Sequence, residues 1–241
     1  MKKDEIVAEG KWIFDKNVTD CFDDMLSRSI PDYNTMRKLT LDITDPYIKD
    51  NHFSMLDLGC SNGINLEMFI NKYLNNGVYV GVDTSSEMIE SANKRLDRYD
   101  VQVKLINDDV VNVENYALFK YNIVTSILTI QFVPIEKRPQ LLNKIYKLMK
   151  SKGVFILVEK ILQPVAEFDS LFVDSYYKIK RENGYTNEQI LAKKKSLEGV
   201  LIPNTHNGNI ELLKNAGFKY VDTFWKCLNF EGYIAIKEEI K

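Results

Sequence analysis

Asp57, Asp83 and Asp109 are the residues whose surroundings point first to chemistry, because each lies at or near the end of a short apolar run. Asp57 opens the segment Asp57-Leu58-Gly59-Cys60-Ser61-Asn62-Gly63, in which small residues let the backbone approach a ligand closely and turn sharply into a helix. Asp83 follows about 20 residues beyond that turn, the spacing at which an acid accepts both hydroxyls of a ribose. Asp109, next to Val110, has the chemistry to accept from the exocyclic amine of an adenine. Each has an ordinary explanation when taken alone: a tight turn for Gly59 and Gly63, a helix cap for Asp83, a solvated loop for Asp109. Their order at successive run ends describes an adenosine site.

Other chemistries lack their residues. The chain holds only two histidines, His52 and His206, and three separated cysteines, Cys21, Cys60 and Cys227. No C-x-x-C or H-x-x-x-H spacing offers a zinc site, no disulfide framework closes, and no G-x-S-x-G marks a nucleophile elbow. No metal is expected. Cys60 reads as a small buried filler and His206 as a loop histidine. The net charge of -2, from 32 Lys+Arg against 34 Asp+Glu, supplies no chain-wide field for a polyanion. The basic stretches 178–181 and 193–195 read as solvated helical faces, so direct nucleic-acid binding is not expected. Acidic residues stand where a signal peptide needs an apolar stretch, and no run approaches the ~20 apolar residues of a membrane span. A cytoplasmic protein without a membrane partner is the expectation.

The elements that must position these acids follow from the hydrophobic pattern. The 241 residues, 45% apolar and 27% charged, suit one domain spanning 1–241. Short β-branched runs at 53–58, 78–82, 101–105, 121–130 and 154–158 alternate with stretches of helical periodicity, which predicts an α/β fold with a parallel sheet. The run at 121–130 is apolar enough for a central strand, and Gly153 is placed to cap the helix before the fifth strand. Runs at 220–225 and 233–236 predict an antiparallel edge hairpin, making seven strands in all. Helices are predicted in 1–50 and, as a cover over the site, in 164–200.

The turn D-x-G-x-S-x-G departs from the G-x-G-x-x-G of dinucleotide sites, and no further phosphate-binding element follows it. It resembles the turn of class I S-adenosylmethionine (SAM)-dependent methyltransferases, a Rossmann-like fold with helices on both faces of the sheet. A closer resemblance is carried by Phe22-Asp23-Asp24-Met25, Arg28-Ser29-Ile30-Pro31-x-Tyr33, Thr129-x-Gln131-Phe132, Glu159-Lys160, Asn183-Gly184-Tyr185 and Leu197-Glu198-x-Val200. These segments are similar to those of the carboxy-S-adenosyl-L-methionine synthase family. The resemblance implies transfer of the prephenate carboxylate to the SAM methyl, giving carboxy-SAM for tRNA wobble-uridine modification, by a homodimer. It implies cofactor contacts from Tyr33, Gly59, Cys60, Ser61, Asp83, Thr84, Asp109 and Val110, beside the Asp57 and Gly63 of the turn itself. Because a sulfonium methyl is already activated, such chemistry requires no catalytic His, thiol or metal.

Two positions depart from the family at the reactive end. Ile127 stands where the family has Asn, and Lys194 where it has the Arg that grips the added carboxylate. Lys offers a compact single-centre charge in place of a planar fork, so Lys194 is the candidate for holding a carboxylate or other substrate anion. The two departures also motivate a methyltransferase acting on a small molecule. A non-catalytic SAM-binding subunit is the third reading.

Overall fold

The computed structural model describes residues 2–48 and 52–238. Strands β1 (Phe53–Leu58), β2 (Gly77–Asp83), β3 (Gln102–Asn107), β4 (Tyr121–Ile127), β5 (Met149–Leu162), β6 (Asn204–Thr205), β7 (Tyr220–Cys227) and β8 (Phe230–Ile236) build the sheet. Its order is β3-β2-β1-β4-β5-β8-β7, with the two-residue β6 beside β5. β1 to β5 are mutually parallel, and β8 runs antiparallel to both β5 and β7. The seven expected strands are thus present, and the eighth is a short addition. The chain steps outward from β1 through β2 to β3 and then crosses back to β4 on the other side of β1. The crevice between β1 and β4 is therefore the topological switch point where open α/β sheets bind ligands.

Alternation along the strands sends side chains to two separate cores. Leu56, Leu58, Val80, Val82, Val124, Phe155 and Leu157 pack on one face, together with Leu142 and Ile145 of α5 (Arg138–Leu148) and Leu213 of α8 (His206–Asn215). Met55, Tyr79, Ile123, Val154, Ile156 and Val158 pack on the other, against Met36 of α2 (Tyr33–Thr44) and Leu66, Phe69 and Ile70 of α3 (Ile64–Tyr73). Every residue of β1 is buried, as in a central parallel strand covered on both faces, and this includes the polar Ser54 and Asp57. A third cluster joins Trp12 to Val18, Phe22 and Met25 of α1 (Lys16–Ser29) and Met88 of α4 (Ser86–Leu96), lying over the switch point. The expected cover is a helical pair, α6 (Ala166–Glu182) and α7 (Asn187–Leu197), and α7 starts with a Thr186/Gln189 capping box.

Three local expectations are corrected. The fourth strand ends at Ile127, three residues early: Leu128 adopts φ 58° and residues 130–132 form a 3-10 turn. The helix before the fifth strand ends at Leu148 with the extended Met149 as its cap, not at Gly153, and the left-handed residue of this stretch is Lys152 (φ 60°), inside β5. Gly153 instead lies inside β5, where a Cβ would meet the carbonyl oxygens of Lys150 at 2.9 Å and Asn122 at 3.0 Å. His206 is no loop residue; it opens α8 with Nδ1 2.9 Å from Glu231 Oε1.

Candidate active site

The β1–α3 turn wraps tightly around the crevice. Gly59 (φ 70°), Ser61 (φ 49°) and Gly63 (φ 78°) all take left-handed conformations, and the amides of Gly59 and Cys60 both donate to the Val82 carbonyl at 2.8 and 3.0 Å. At Gly59 a Cβ would overlap the Thr129 side chain, with its Oγ1 only 2.1 Å away, so glycine is required on both conformational and steric grounds. Asp83, at the end of β2, accepts from the amides of Ser61 and Ser85, both at 2.9 Å. Burial raises its carboxyl pKa, opposed by those same amides. The acid is thereby fixed in orientation at the cavity wall, and each of its oxygens keeps a lone pair for a further donor. Asp109 is held beside it through its own Oδ1, which accepts the Val111 amide at 3.1 Å.

Asp57 lies deeper. Its Oδ1 accepts from Thr125 Oγ1 at 2.6 Å and Asn65 Nδ2 at 3.0 Å, whereas Oδ2 has no partner among the described residues. Burial pushes this carboxyl up to about 7, against the pull of the two hydrogen bonds. Arg37 shares the pocket: its Nη2 donates to the Ile64 carbonyl at 2.7 Å, its Nε is buried without a partner, and its guanidinium lies 5.5 Å from the Tyr33 ring centroid. Burial lifts the Tyr33 phenol to about 12, so it stays a neutral hydrogen-bonding group.

A cavity of about 330 Å³ joins these groups. Of the sequence-predicted site residues, Tyr33, Asp57, Gly59, Cys60, Ser61, Asp83, Thr84, Asp109, Val110 and Ile127 line it. Gly63 does not; it sits behind the turn, where a Cβ would approach Ala92 Cβ at 3.2 Å, and lets α3 pack on α4. Lys194 does not line it either. A helix rotates about 100° per residue, and α7 leaves Lys194 exposed while Lys193 lines the cavity.

The cavity wall also contains groups that sequence reasoning missed. The N-terminal segment crosses over it as an extended strap: the Trp12 amide donates to the Ser196 carbonyl at 2.9 Å, and Ser85 Oγ donates to the Phe14 carbonyl at 2.7 Å. Phe14 meets Phe132 edge-on at 5.6 Å, closing the strap against the loop after β4. That loop is held from below by buried polar groups. Glu159 accepts the Ile130 amide at 3.0 Å, and burial pushes its carboxyl up to about 8. Arg138 Nε donates to the Val133 carbonyl at 2.8 Å, and its Nη2 to the carbonyls of Gln131 at 3.1 Å and Ile202 at 2.7 Å. Lys160, Lys180 and Lys193 line the far part of the cavity. The Glu159-Lys160 motif was the signal available for the first; the other two lie in basic runs that read equally well as solvated faces.

The donor set suits an adenosine joined to an amino acid. Asp83 and Asp109 offer acceptors for a ribose and a base, the unpartnered Asp57 Oδ2 offers an acceptor for an ammonium, the orphan Arg37 Nε offers a donor for a carboxylate, and the Cβ-free Gly59 admits a close approach. Among the described residues no group of three or more His, Cys, Asp or Glu side chains could hold a metal, and no helix is long and apolar enough to cross a membrane.

Sheet order, acid-led turn and paired nucleoside acids define a class I SAM-dependent methyltransferase fold. Residues 55–153 match a family model described as a methyltransferase domain. Among solved structures, the chain superposes on the plantazolicin methyltransferase BpumL in complex with a desmethyl plantazolicin analogue and S-adenosylhomocysteine (TM-score 0.66, 17% identity, 90% of each chain). It also superposes on human N-acetylserotonin methyltransferase in complex with SAM (TM-score 0.61, 16% identity), covering 92% of this chain and 55% of the human one. Among curated sequences, it is 36% identical over 229 residues to the carboxy-S-adenosyl-L-methionine synthase of Nautilia profundicola, covering 95% of this chain and 96% of that protein. It is 34% identical over 239 residues to the synthase of Campylobacter jejuni strain 81-176, covering 98% and 100%. The chain belongs to the carboxy-S-adenosyl-L-methionine synthase family. It is a transferase, and SAM is its cofactor.

Proposed function

We propose that this protein transfers the carboxylate of prephenate to the methyl group of SAM, yielding carboxy-SAM, phenylpyruvate and water. The observation that carries the reading is the near end-to-end match to carboxy-SAM synthases in a chain whose nucleoside acids and turn converge on one cavity. When bound, the cofactor supplies a sulfonium-activated methyl carbon that accepts the carboxylate; the ring hydroxyl and a methyl proton leave together as water. The chain's own residues bind, orient and exclude solvent. Asp83 and Asp109 hold the nucleoside, Asp57 and Arg37 hold the amino-acid end, and Tyr33 and Ile127 flank the region where the methyl is presented. Trp12, Phe14 and Phe132 keep bulk water from the transferred group.

The same reading includes a homodimer, a cytoplasmic location and supply of carboxy-SAM to a separate tRNA-modifying enzyme, without direct tRNA binding by this chain. Exposed Phe168, Leu171 and Leu191 on α6 and α7, at 53%, 58% and 59% exposure, support a subunit contact on the helical cover. Lys194, exposed on the same cover, is read as a cation outside the cavity of one subunit, with its contribution to substrate binding to be measured by Lys194→Ala. The deciding experiment incubates the purified protein with SAM and prephenate and weighs the nucleoside product. A nucleoside heavier than SAM by one carboxylate in place of a hydrogen is expected. S-adenosylhomocysteine with a methylated acceptor would instead make it a methyltransferase, and absence of turnover with bound SAM would make it a binding subunit.

A further inference from the structure

Beyond the nucleoside cradle the cavity contains a group of cations with too few counter-charges. Lys160 ends the part of β5 that pairs with β8, Lys180 lies on α6, and Lys193 lies on α7; all three line the same cavity. Lys180 is only 4% exposed. Its ammonium sits over the rings of Tyr185 at 4.8 Å and Tyr176 at 5.6 Å, and Lys160 shares the Tyr176 ring at 5.5 Å. Lys193 Nζ lies over the Trp12 ring, 2.8 Å from its centroid, and 3.1 Å from Met25 Sδ. Among the described residues no carboxylate is within ion-pair distance of any of the three.

The acids nearest to them are already engaged. Asp4 attracts Lys180 and Lys193, but its Oδ2 accepts the Tyr185 hydroxyl at 2.6 Å and its Oδ1 accepts the Ile6 amide at 3.1 Å. Asp169 attracts Lys160, but its Oδ1 accepts the Gln163 amide. Arg28, the further cation acting on Lys180, is matched by Asp24 at 2.8 Å. The lysines also repel one another, Lys160 acting on Lys180 and Lys180 on Lys193. Burial is the larger cause, and together these lower all three ammonium pKa values, that of Lys180 to about 8. Aromatic faces soften such a charge but do not neutralise it. Burying unpaired charge persists where a ligand completes the site.

We propose that Lys160, Lys180 and Lys193 form the anion subsite for the carboxylate donor, built for a small substrate that carries two carboxylates on an apolar ring. The three ammoniums take the carboxylates, and Trp12, Tyr176 and Phe230 of the same wall take the ring. This assignment rests on the transferase reading above, since it places the second substrate in the cavity that the cofactor's cradle opens into. It also moves the expected anion-binding role from Lys194 to its inward neighbour.

Trp12 reports the test directly. The chain has two tryptophans, and Trp225→Phe leaves Trp12 as the sole tryptophan, selectively excited at the red edge of the protein absorption and in contact with Lys193. Titration of that protein with prephenate should change Trp12 emission, with phenylpyruvate, which has one carboxylate, binding about tenfold more weakly. Lys180→Met and Lys193→Met should each weaken prephenate binding by about tenfold or more while leaving SAM affinity within about twofold. The conservative Lys193→Arg should restore most of the binding. An unchanged prephenate affinity in the triple methionine variant would overturn the subsite. So would loss of SAM and prephenate binding together with a lowered melting temperature, which marks a structural role. Lysine-dependent prephenate binding without carboxy-SAM formation defeats the proposed reaction and leaves the subsite standing. Unchanged kcat/KM for carboxy-SAM formation in the triple variant does the reverse.

Discussion

Asp57 shows how one side chain can be poor for stability and good for binding. Its folded carboxyl is pushed from 3.8 to about 7 by burial, so the folded state holds a proton that the unfolded state has lost across that window. Stability from this group is therefore full below about pH 4 and falls as pH rises toward 7. Asp57→Asn should raise the melting temperature of the cofactor-free protein at pH 7, by up to about 2–4 kcal/mol in unfolding free energy. It should also weaken SAM binding by tenfold or more, in the order of a lost charged hydrogen bond. Calorimetric titration from pH 5.5 to 8 checks the sign: wild-type affinity should rise with pH as Asp57 ionises, levelling above about 7, and the Asn variant should show no such rise. Lys180 works in the opposite window. With its folded pKa near 8 against 10.5, the folded state holds fewer protons between those values, so stability from this group rises with pH there. Lys180→Met should flatten that rise in alkaline melts.

At the scale of elements, the turn after β1 and the loop after β4 are one assembly, because Thr129 occupies the space a Gly59 side chain would need. Gly59→Ala should cost about 2–4 kcal/mol, from the left-handed φ and the overlap together, and should lower SAM affinity more than it lowers far-UV helicity. Arg138 staples the same loop through the carbonyls of Gln131 and Val133 and ties it to that of Ile202, a reach that a lysine's single centre does not span. Arg138→Lys is expected to lower the melting temperature and raise KM for prephenate with SAM affinity little changed, read by thermal unfolding and steady-state kinetics. None of this was visible in the run at 121–130, whose apolar residues continue past Ile127 and conceal the turn. The turn is made by Glu159 and Arg138, which come from elsewhere in the chain, so local pattern carried no mark of it. The helical cover, by contrast, was legible down to its break near Asn183-Gly184, since glycine and a capping box act locally.

Across the whole molecule, two cores on a sheet and a third cluster over its switch point give a rigid floor with a stapled roof. The roof's outer surface exposes Phe168 and Leu171, and the Phe168→Asp/Leu171→Asp variant should run as a monomer in light scattering if that face joins subunits, with the melting temperature of the monomer otherwise unaltered. The sequence by itself determined the sheet, its edge hairpin and the acids that line the cavity, because these follow from periodicity of two and 3.6 and from residues at or just beyond strand ends. Only the tertiary structure decided which cation enters the cavity. Lys193, Lys194 and Lys195 are equivalent as a charge run, and the choice among them depends on how α7 is rotated against Trp12 and Met25, a long-range packing that no local spacing encodes.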